Sequence, residues 1–157
     1  FGLETSRLDC LIHPQSIVHG IVEFIDGTQL AHMAQPDMKA AISYALYYPQ
    51  RQPDAVASLN LAQVGRLDFE PVDEKTFTCF GLARSALQQG GTQTTVLNAA
   101  NEVAVSEFLK SKIGFLQISD VIAETLEIAP RYALGIEAVY EGEAWARAKA
   151  SELCASH

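Results

Sequence analysis

The sequence predicts an α+β chain: a β-hairpin and sheet segment with one helix, followed by a small C-terminal four-helix bundle. Extended apolar runs flank the dipeptide Asp26-Gly27 early in the chain, and from about residue 75 onward the apolar residues recur at helical spacing. Short turn signals between the later helical runs favour antiparallel neighbours in a bundle.

Leu8-Asp9-Cys10-Leu11-Ile12 reads as a strand that stops at His13-Pro14, because proline pushes its predecessor toward extended geometry and has no N–H for a ladder. Two extended runs follow, Ile17 to Ile25 and Thr28 to Ala34, joined by Asp26-Gly27, which suits both positive-φ positions of a two-residue type I′ turn. In that register Ile25 faces Thr28 and Ile21 faces His32. Ile17, His19, Ile21, Leu30 and His32 then share one face, and Val18, Val22, Phe24, Ala31 and Met33 the other. Both faces are largely apolar, so the hairpin is expected to be covered on two sides, by helices or by a partner subunit.

After Gln35-Pro36 a helix fits residues 37 to 48. Asp37 sits at its positive end, Met38, Ala41, Ile42, Ala45 and Leu46 recur along it, and Pro49 closes it. Residues 50–74, with Pro53, Pro71 and a brief alternation at Leu67 and Phe69, read as an ordered linker holding one short strand. The chain thus divides into residues 1–49, a linker over 50–74, and a helical part over 75–157.

In the helical part, Thr76 to Gln89 keeps Phe80, Ala83 and Leu87 on one side and ends at Gly90-Gly91. Val96, Leu97, Ala100, Val103, Ala104 and Phe108 trace an apolar stripe that predicts the longest helix, over about 92–112. Ser119 is expected to cap a third helix through Val121, Ile122, Thr125 and Leu126, ended by Pro130. Propensity extends a fourth through Glu143-Ala144-Trp145 into an alanine-rich tail, expected to fray after Ala150.

Composition narrows the function. With 157 residues, 48% hydrophobic and 19% charged, the chain can bury a core. No run approaches the roughly 18–20 apolar residues of a membrane-spanning helix, and no secretory leader is visible, so a cytoplasmic location is expected. Eleven Lys and Arg against 19 Asp and Glu, a net charge of −8, leave no basic stripe for nucleic acid. Cys10, Cys79 and Cys154 are too few and too scattered for a disulfide framework or a metal cluster. The opening Phe1-Gly2-Leu3, without Met, fits a piece of a longer protein at least as well as an intact one.

No glycine-rich phosphate loop occurs, and Gly90-Gly91 follows a helix instead of opening one, so no dinucleotide cradle is expected in this chain. His19 and His32, on one hairpin face in the expected register, either approach a common ion or stay as half-buried, hydrogen-bonded imidazoles; no third ligand is placed by sequence. His13-Pro14-Gln15-Ser16 puts an acid or base, an amide and a hydroxyl at a strand end, where enzymes hold substrate groups; alternatively Gln15 and Ser16 only satisfy turn amides. A Ser-His hydrolase finds no support without a GxSxG elbow. Asn98 and Asn101, set mid-helix, pin a neighbouring segment or touch substrate.

Four stretches, taken in order and spacing, resemble the deoxyxylulose-phosphate reductoisomerases over nearly the whole chain. They are Leu11-Ile12-His13-Pro14-Gln15-Ser16-Ile17-Val18-His19, Asp26-Gly27, Gln35-Pro36-Asp37-Met38 and Leu97-Asn98-Ala99-Ala100-Asn101-Glu102. The resemblance implies an NADPH-dependent enzyme of the non-mevalonate isoprenoid pathway. It would convert 1-deoxy-D-xylulose 5-phosphate to 2-C-methyl-D-erythritol 4-phosphate with Mg²⁺ or Mn²⁺, as a homodimer. It further implies that residues 1–49 end the catalytic domain and residues 75–157 form a C-terminal helical domain. His13 would lie at the edge of the substrate site, and Pro36 and Met38 against the nicotinamide. The family's dinucleotide-binding domain, metal carboxylates and most phosphate-binding residues precede the matched region, so no catalytic or metal residue is carried over and the chain alone is expected to be inactive. A related reductoisomerase acting on another sugar phosphate stays open. The rival reading is a non-enzymatic dimerisation or scaffolding module.

Overall fold

The computed structural model describes residues 3–156; Phe1, Gly2 and His157 lie outside the described residues. Among these, four strands and six α-helices follow a single 3-10 turn at Thr5–Arg7. The chain divides into two compact units, Cys10–Val72 and a helical unit made of Phe1–Asp9 with Asp73–His157.

Two antiparallel pairs occupy the Cys10–Val72 unit. Strand β1 (Leu11–Ile12) pairs with β4 (Glu70–Pro71), Leu11 opposite Pro71 and Ile12 opposite Glu70, while β2 (Val18–Glu23) pairs with β3 (Gln29–Met33) as the hairpin. The alternation at Leu67 and Phe69 thus marks the approach to β4, and β1 is shorter than the apolar run from Leu8 suggests.

The turn corrects the expected hairpin register by one residue. Thr28 lies opposite Phe24, not Ile25, and accepts the Phe24 N–H at 2.9 Å. The loop therefore holds Ile25, Asp26 and Gly27, with the Gly27 N–H on the Phe24 carbonyl at 2.9 Å and only Gly27, at φ 81°, in the left-handed region. Asp26 is the cause. Its Oδ1 accepts from both the Thr28 N–H (2.9 Å) and the Thr28 hydroxyl (2.6 Å), which draws Thr28 into the loop mouth and holds the Asp26 carboxyl below its ordinary range.

Ile21 consequently faces Ala31, Val22 faces Leu30 and Gly20 faces His32, and a bulge between Val18 and Gly20 leaves His19 as the extra residue. Apolar residues are exposed on both faces and in the loop: Ile21 is 41% exposed on one face, Val22 57% and Leu30 65% on the other, and Ile25 fully. Ile17 is the one buried residue described between Cys10 and Val72.

Helix α1 (Lys39–Tyr47) begins after Asp37, whose Oδ1 accepts the Lys39 N–H at 2.9 Å. A short α2 (Leu61–Val64) is capped by Asn60, which accepts from Ala62 and Gln63, and ends at Gly65.

The helical unit holds the core. Its four helices are α3 (Thr78–Gln89), α4 (Gln93–Leu109), α5 (Gln117–Glu127) and α6 (Ile136–Ser156). Val96, Val121, Ile122, Ala100, Ala104, Ala146 and Ala150 are fully or almost fully buried. In α3, Ala86 is buried, whereas Leu87, grouped by spacing with Phe80 and Ala83, is 46% exposed.

Three expectations for these helices are corrected. The longest helix is α6, at 21 residues, not α4 at 17. It begins at Ile136, because Ala- and Glu-rich sequence propagates a helix without needing an apolar stripe. It also runs through Ser156, since Ala150 and Cys154 are buried and hold its last turns. Ser119 lies inside α5, its hydroxyl donating to the Leu116 carbonyl at 2.8 Å, while Gln117 accepts the Gly114 N–H at 2.5 Å ahead of the helix.

Among the described residues, no helix is long and apolar enough to cross a membrane.

Gly90 and Gly91 link α3 to α4 with φ of 71° and 57°. A Cβ at Gly91 would stand 2.4 Å from the Tyr132 carbonyl oxygen, whereas nothing lies within 4 Å of one at Gly90. Alanine at these positive φ values costs about 1–3 kcal/mol, Gly90 with ψ −159° included, but only Gly91→Ala adds a backbone clash. The helical circular-dichroism signal should therefore melt at a lower temperature in G91A than in G90A. Equal midpoints would mean that the Tyr132 segment yields freely.

Candidate functional site

His13 stands where β1 ends, and residues just before β4 clasp it. Its Nδ1 lies 2.7 Å from the Asp68 carbonyl and its ring stacks on Phe69, centroids 4.6 Å apart and planes 14° from parallel. A carbonyl only accepts, so Nδ1 carries a proton; in the neutral ring the lone pair is then at Nε2, which is buried and has no hydrogen-bond partner among the described residues. Such an atom is a ready acceptor for a hydroxyl brought to it, and a donor once the ring is protonated.

Gln15 completes the clasp from both ends of its amide. Its Oε1 accepts the Asp68 N–H at 3.1 Å and its Nε2 donates to Asp68 Oδ2 at 2.5 Å, while Arg66 Nε reaches the same carboxylate oxygen at 3.2 Å. Gln15 is therefore spent on Asp68, not on turn amides. Ser16 adopts φ 52° and donates its N–H to the His13 carbonyl at 3.0 Å, a tight reversal that leads the chain into β2.

Arg66, Asp68 and Phe69 were not foreseen as part of this site. Their only sequence signal is the Leu67 and Phe69 alternation, which announces a strand without saying which strand it meets.

Pro36 and Met38 lie in the turn that opens α1. Asp37 donates its N–H to the Gln35 carbonyl at 2.8 Å, and Met38 occupies the position before the first helical residue. Met38 is 71% exposed and begins an outward apolar stripe with Ile42 and Leu46, one helical turn apart.

The remaining candidates separate. The His19 and His32 rings do come together, with centroids 6.0 Å apart. Both are exposed and neither ring makes a hydrogen bond among the described residues, so the expectation of half-buried, hydrogen-bonded imidazoles is corrected. No group of three His, Cys, Asp or Glu side chains is arranged for a metal among the described residues. Asn98 donates to Glu102 at 3.0 Å on its own helix. Glu102 also pairs with Arg147 of α6, and that guanidinium, with Asn98, holds the Glu102 carboxyl below its usual range. The Asn98 bond thus stays within α4, and the Glu102–Arg147 pair is what ties α4 to α6. Cys154 is buried, and desolvation pushes its thiol up.

Residues 33–149 match the family model described as the DXP reductoisomerase C-terminal domain. The chain belongs to this family. His13 precedes the matched range but falls inside the alignments with individual relatives. The 1-deoxy-D-xylulose 5-phosphate reductoisomerase of Xanthomonas euvesicatoria is 44% identical over 158 aligned positions, covering 100% of this chain and 40% of the relative. That of Pseudomonas fluorescens is 42% identical, covering 97% of this chain and 39% of the relative.

The chain thus spans about two fifths of the length of the relatives it matches. Among solved structures, the Zymomonas mobilis reductoisomerase in complex with NADPH superposes with a TM-score of 0.87 at 37% identity, covering 95% of this chain and 40% of that one. A DOX-P reductoisomerase in complex with NADPH, fosmidomycin and magnesium gives 0.84 at 35% identity, covering 92% and 38%.

The clasp makes a local prediction. Gln15→Ala removes the acceptor of the Asp68 N–H and one donor to its carboxylate, a loss of about 1–3 kcal/mol at part-buried groups. Amide exchange at Asp68 should rise sharply in Q15A while that of Ala100, in the middle of α4, stays unchanged. Unchanged exchange at Asp68 would mean that the clasp does not hold in solution.

Proposed function

We propose that this chain supplies the C-terminal portion of an NADPH-dependent 1-deoxy-D-xylulose 5-phosphate reductoisomerase, which forms 2-C-methyl-D-erythritol 4-phosphate in the non-mevalonate route to isoprenoids. The observation that carries the reading is the alignment of the entire chain with a reductoisomerase at 44% identity.

In this reading residues 1–49 end the catalytic domain, residues 50–74 connect, and residues 75–157 form the C-terminal helical domain. The return of β4 to β1 ties the far end of the connection back to the first part. His13 lines the edge of the substrate site. The stack on Phe69 and the bond to Asp68 hold its ring so that Nε2 accepts from, or donates to, a substrate oxygen. Pro36 and Met38 offer an uncharged surface to the nicotinamide, which suits the exposed thioether. When bound, NADPH supplies the hydride and Mg²⁺ or Mn²⁺ polarises the substrate's oxygens. In this reading both groups are held mainly by residues outside this chain, which spans about two fifths of the relatives it matches, and the chain alone is inactive.

The enzyme works in the cytoplasm as a homodimer. The support for self-association is the exposed apolar surface of a unit whose one buried residue is Ile17, with Ile21 on the hairpin face away from His32 and Met38, Ile42 and Leu46 on α1.

Two measurements test this. In the full-length protein, NADPH oxidation should require both the deoxyxylulose phosphate and a divalent cation, and His13→Gln should lower kcat/KM about a hundredfold with the fold intact. Turnover of NADPH that ignores the sugar phosphate would defeat the reaction, and a wild-type kcat/KM in H13Q would defeat the role of His13. Light scattering at micromolar concentration should find this chain larger than a monomer; a monomeric mass would refute self-association.

A further inference from the structure

His19 and His32 are left without a task by the reductoisomerase reading. We propose that they form a two-histidine site on the hairpin for a borderline transition-metal cation, binding Cu²⁺ before Ni²⁺ or Zn²⁺.

The backbone brings them together. Plain alternation would turn His19 away from the face that carries His32, because Gly20 is the residue opposite His32. The bulge between Val18 and Gly20 inserts His19 as the extra residue at this level of the ladder and re-aims its side chain toward His32. The two rings then stand on neighbouring strands with their centroids 6.0 Å apart and planes tilted by 47°. A metal-bound imidazole nitrogen sits about 2.0–2.1 Å from the ion, so each ring centre lies roughly 3.2 Å away and two rings on one ion are about 4.5–6.4 Å apart. The observed spacing falls within that span, so modest χ rotation of two exposed side chains suffices to converge on one ion.

Nothing else claims these nitrogens. Neither ring makes a hydrogen bond or ion pair within the described chain, so binding sacrifices no existing partner. Both side chains are exposed, which leaves water free to fill the other coordination positions. Imidazole favours Cu²⁺, Ni²⁺ and Zn²⁺ over Mg²⁺, which prefers oxygen, and the chain's net charge of −8 raises the local cation concentration. The bound ion would staple β2 to β3 at the level where the bulge interrupts their ladder.

The test is titration of the full chain with Cu²⁺ alone, followed by electron paramagnetic resonance and its echo-modulation form, which distinguishes one bound imidazole from two. The wild type should show one saturable site with two equivalent imidazoles, displaced by excess Ni²⁺ and untouched by excess Mg²⁺. His19→Gln and His32→Gln should each reduce the signal to one imidazole and weaken binding, while His13→Gln and His157→Gln leave both imidazoles in place. Cu²⁺ should also raise the melting temperature of the wild type more than that of H32Q. A one-imidazole spectrum in the wild type, two imidazoles that survive H32Q, or no binding because self-association covers the pair would each overturn the site.

Discussion

The approach of α4 to α6 depends on side chains small enough to let two helix backbones meet. Ala100 and Ala104 on α4, and Ala146 and Ala150 on α6, are fully buried, and a Cβ added to Gly142 would meet Thr92 at 3.5 Å. The larger side chains, Val121 and Ile122 of α5 and Val96 of α4, are then enclosed, each contributing about 1.5–3 kcal/mol by leaving water. The Glu102–Arg147 pair ties the same two helices at the surface, where solvent screening leaves an exposed ion pair little to add. Packing, not charge, sustains the helical unit. Its close fit also isolates Thr92 Oγ1 and Gln93 Oε1, which are buried without partners where α4 begins.

The Cys10–Val72 unit is organised on another principle. With Ile17 as its one buried residue, its shape rests on directional bonds: the hairpin ladder, the Asp26 loop, the Asn60 cap and the clasp of His13 and Gln15 on Asp68. Directional bonds position atoms well but contribute little net stability, about 0.5–1.5 kcal/mol each. That arrangement encloses the His13 Nε2, presents Pro36 and Met38 outward, and leaves Val22, Leu30 and Leu46 exposed.

Periodicity revealed most of the helical unit, because amphipathic spacing is a local property that survives without knowledge of partners. The α4 stripe and the Gly90-Gly91 stop were readable in this way. The length of α6 was not, since its buried side are mostly alanines and a glycine that a hydrophobicity pattern scarcely registers. In the hairpin, Asp26-Gly27 correctly announced a turn but not its size. One carboxylate capturing Thr28 decided between two loop residues and three, and that choice moved every cross-strand pair. His13 could be singled out by residue type and resemblance, whereas its supports, Asp68 and Phe69, lie more than fifty residues away and only the folded chain brings them to it.

The contrast between the units has a consequence for cooperativity. A chain in which one part is held by an enclosed apolar core and the other by a set of exposed and part-buried hydrogen bonds does not lose its structure in a single step. As temperature or denaturant rises, strand pairing around residues 10–72 gives way while the helices over residues 73–156 persist, so strand and helix probes follow separate transitions. No single free energy of unfolding describes this chain, and a cover over the hairpin would bring its transition closer to that of the helices.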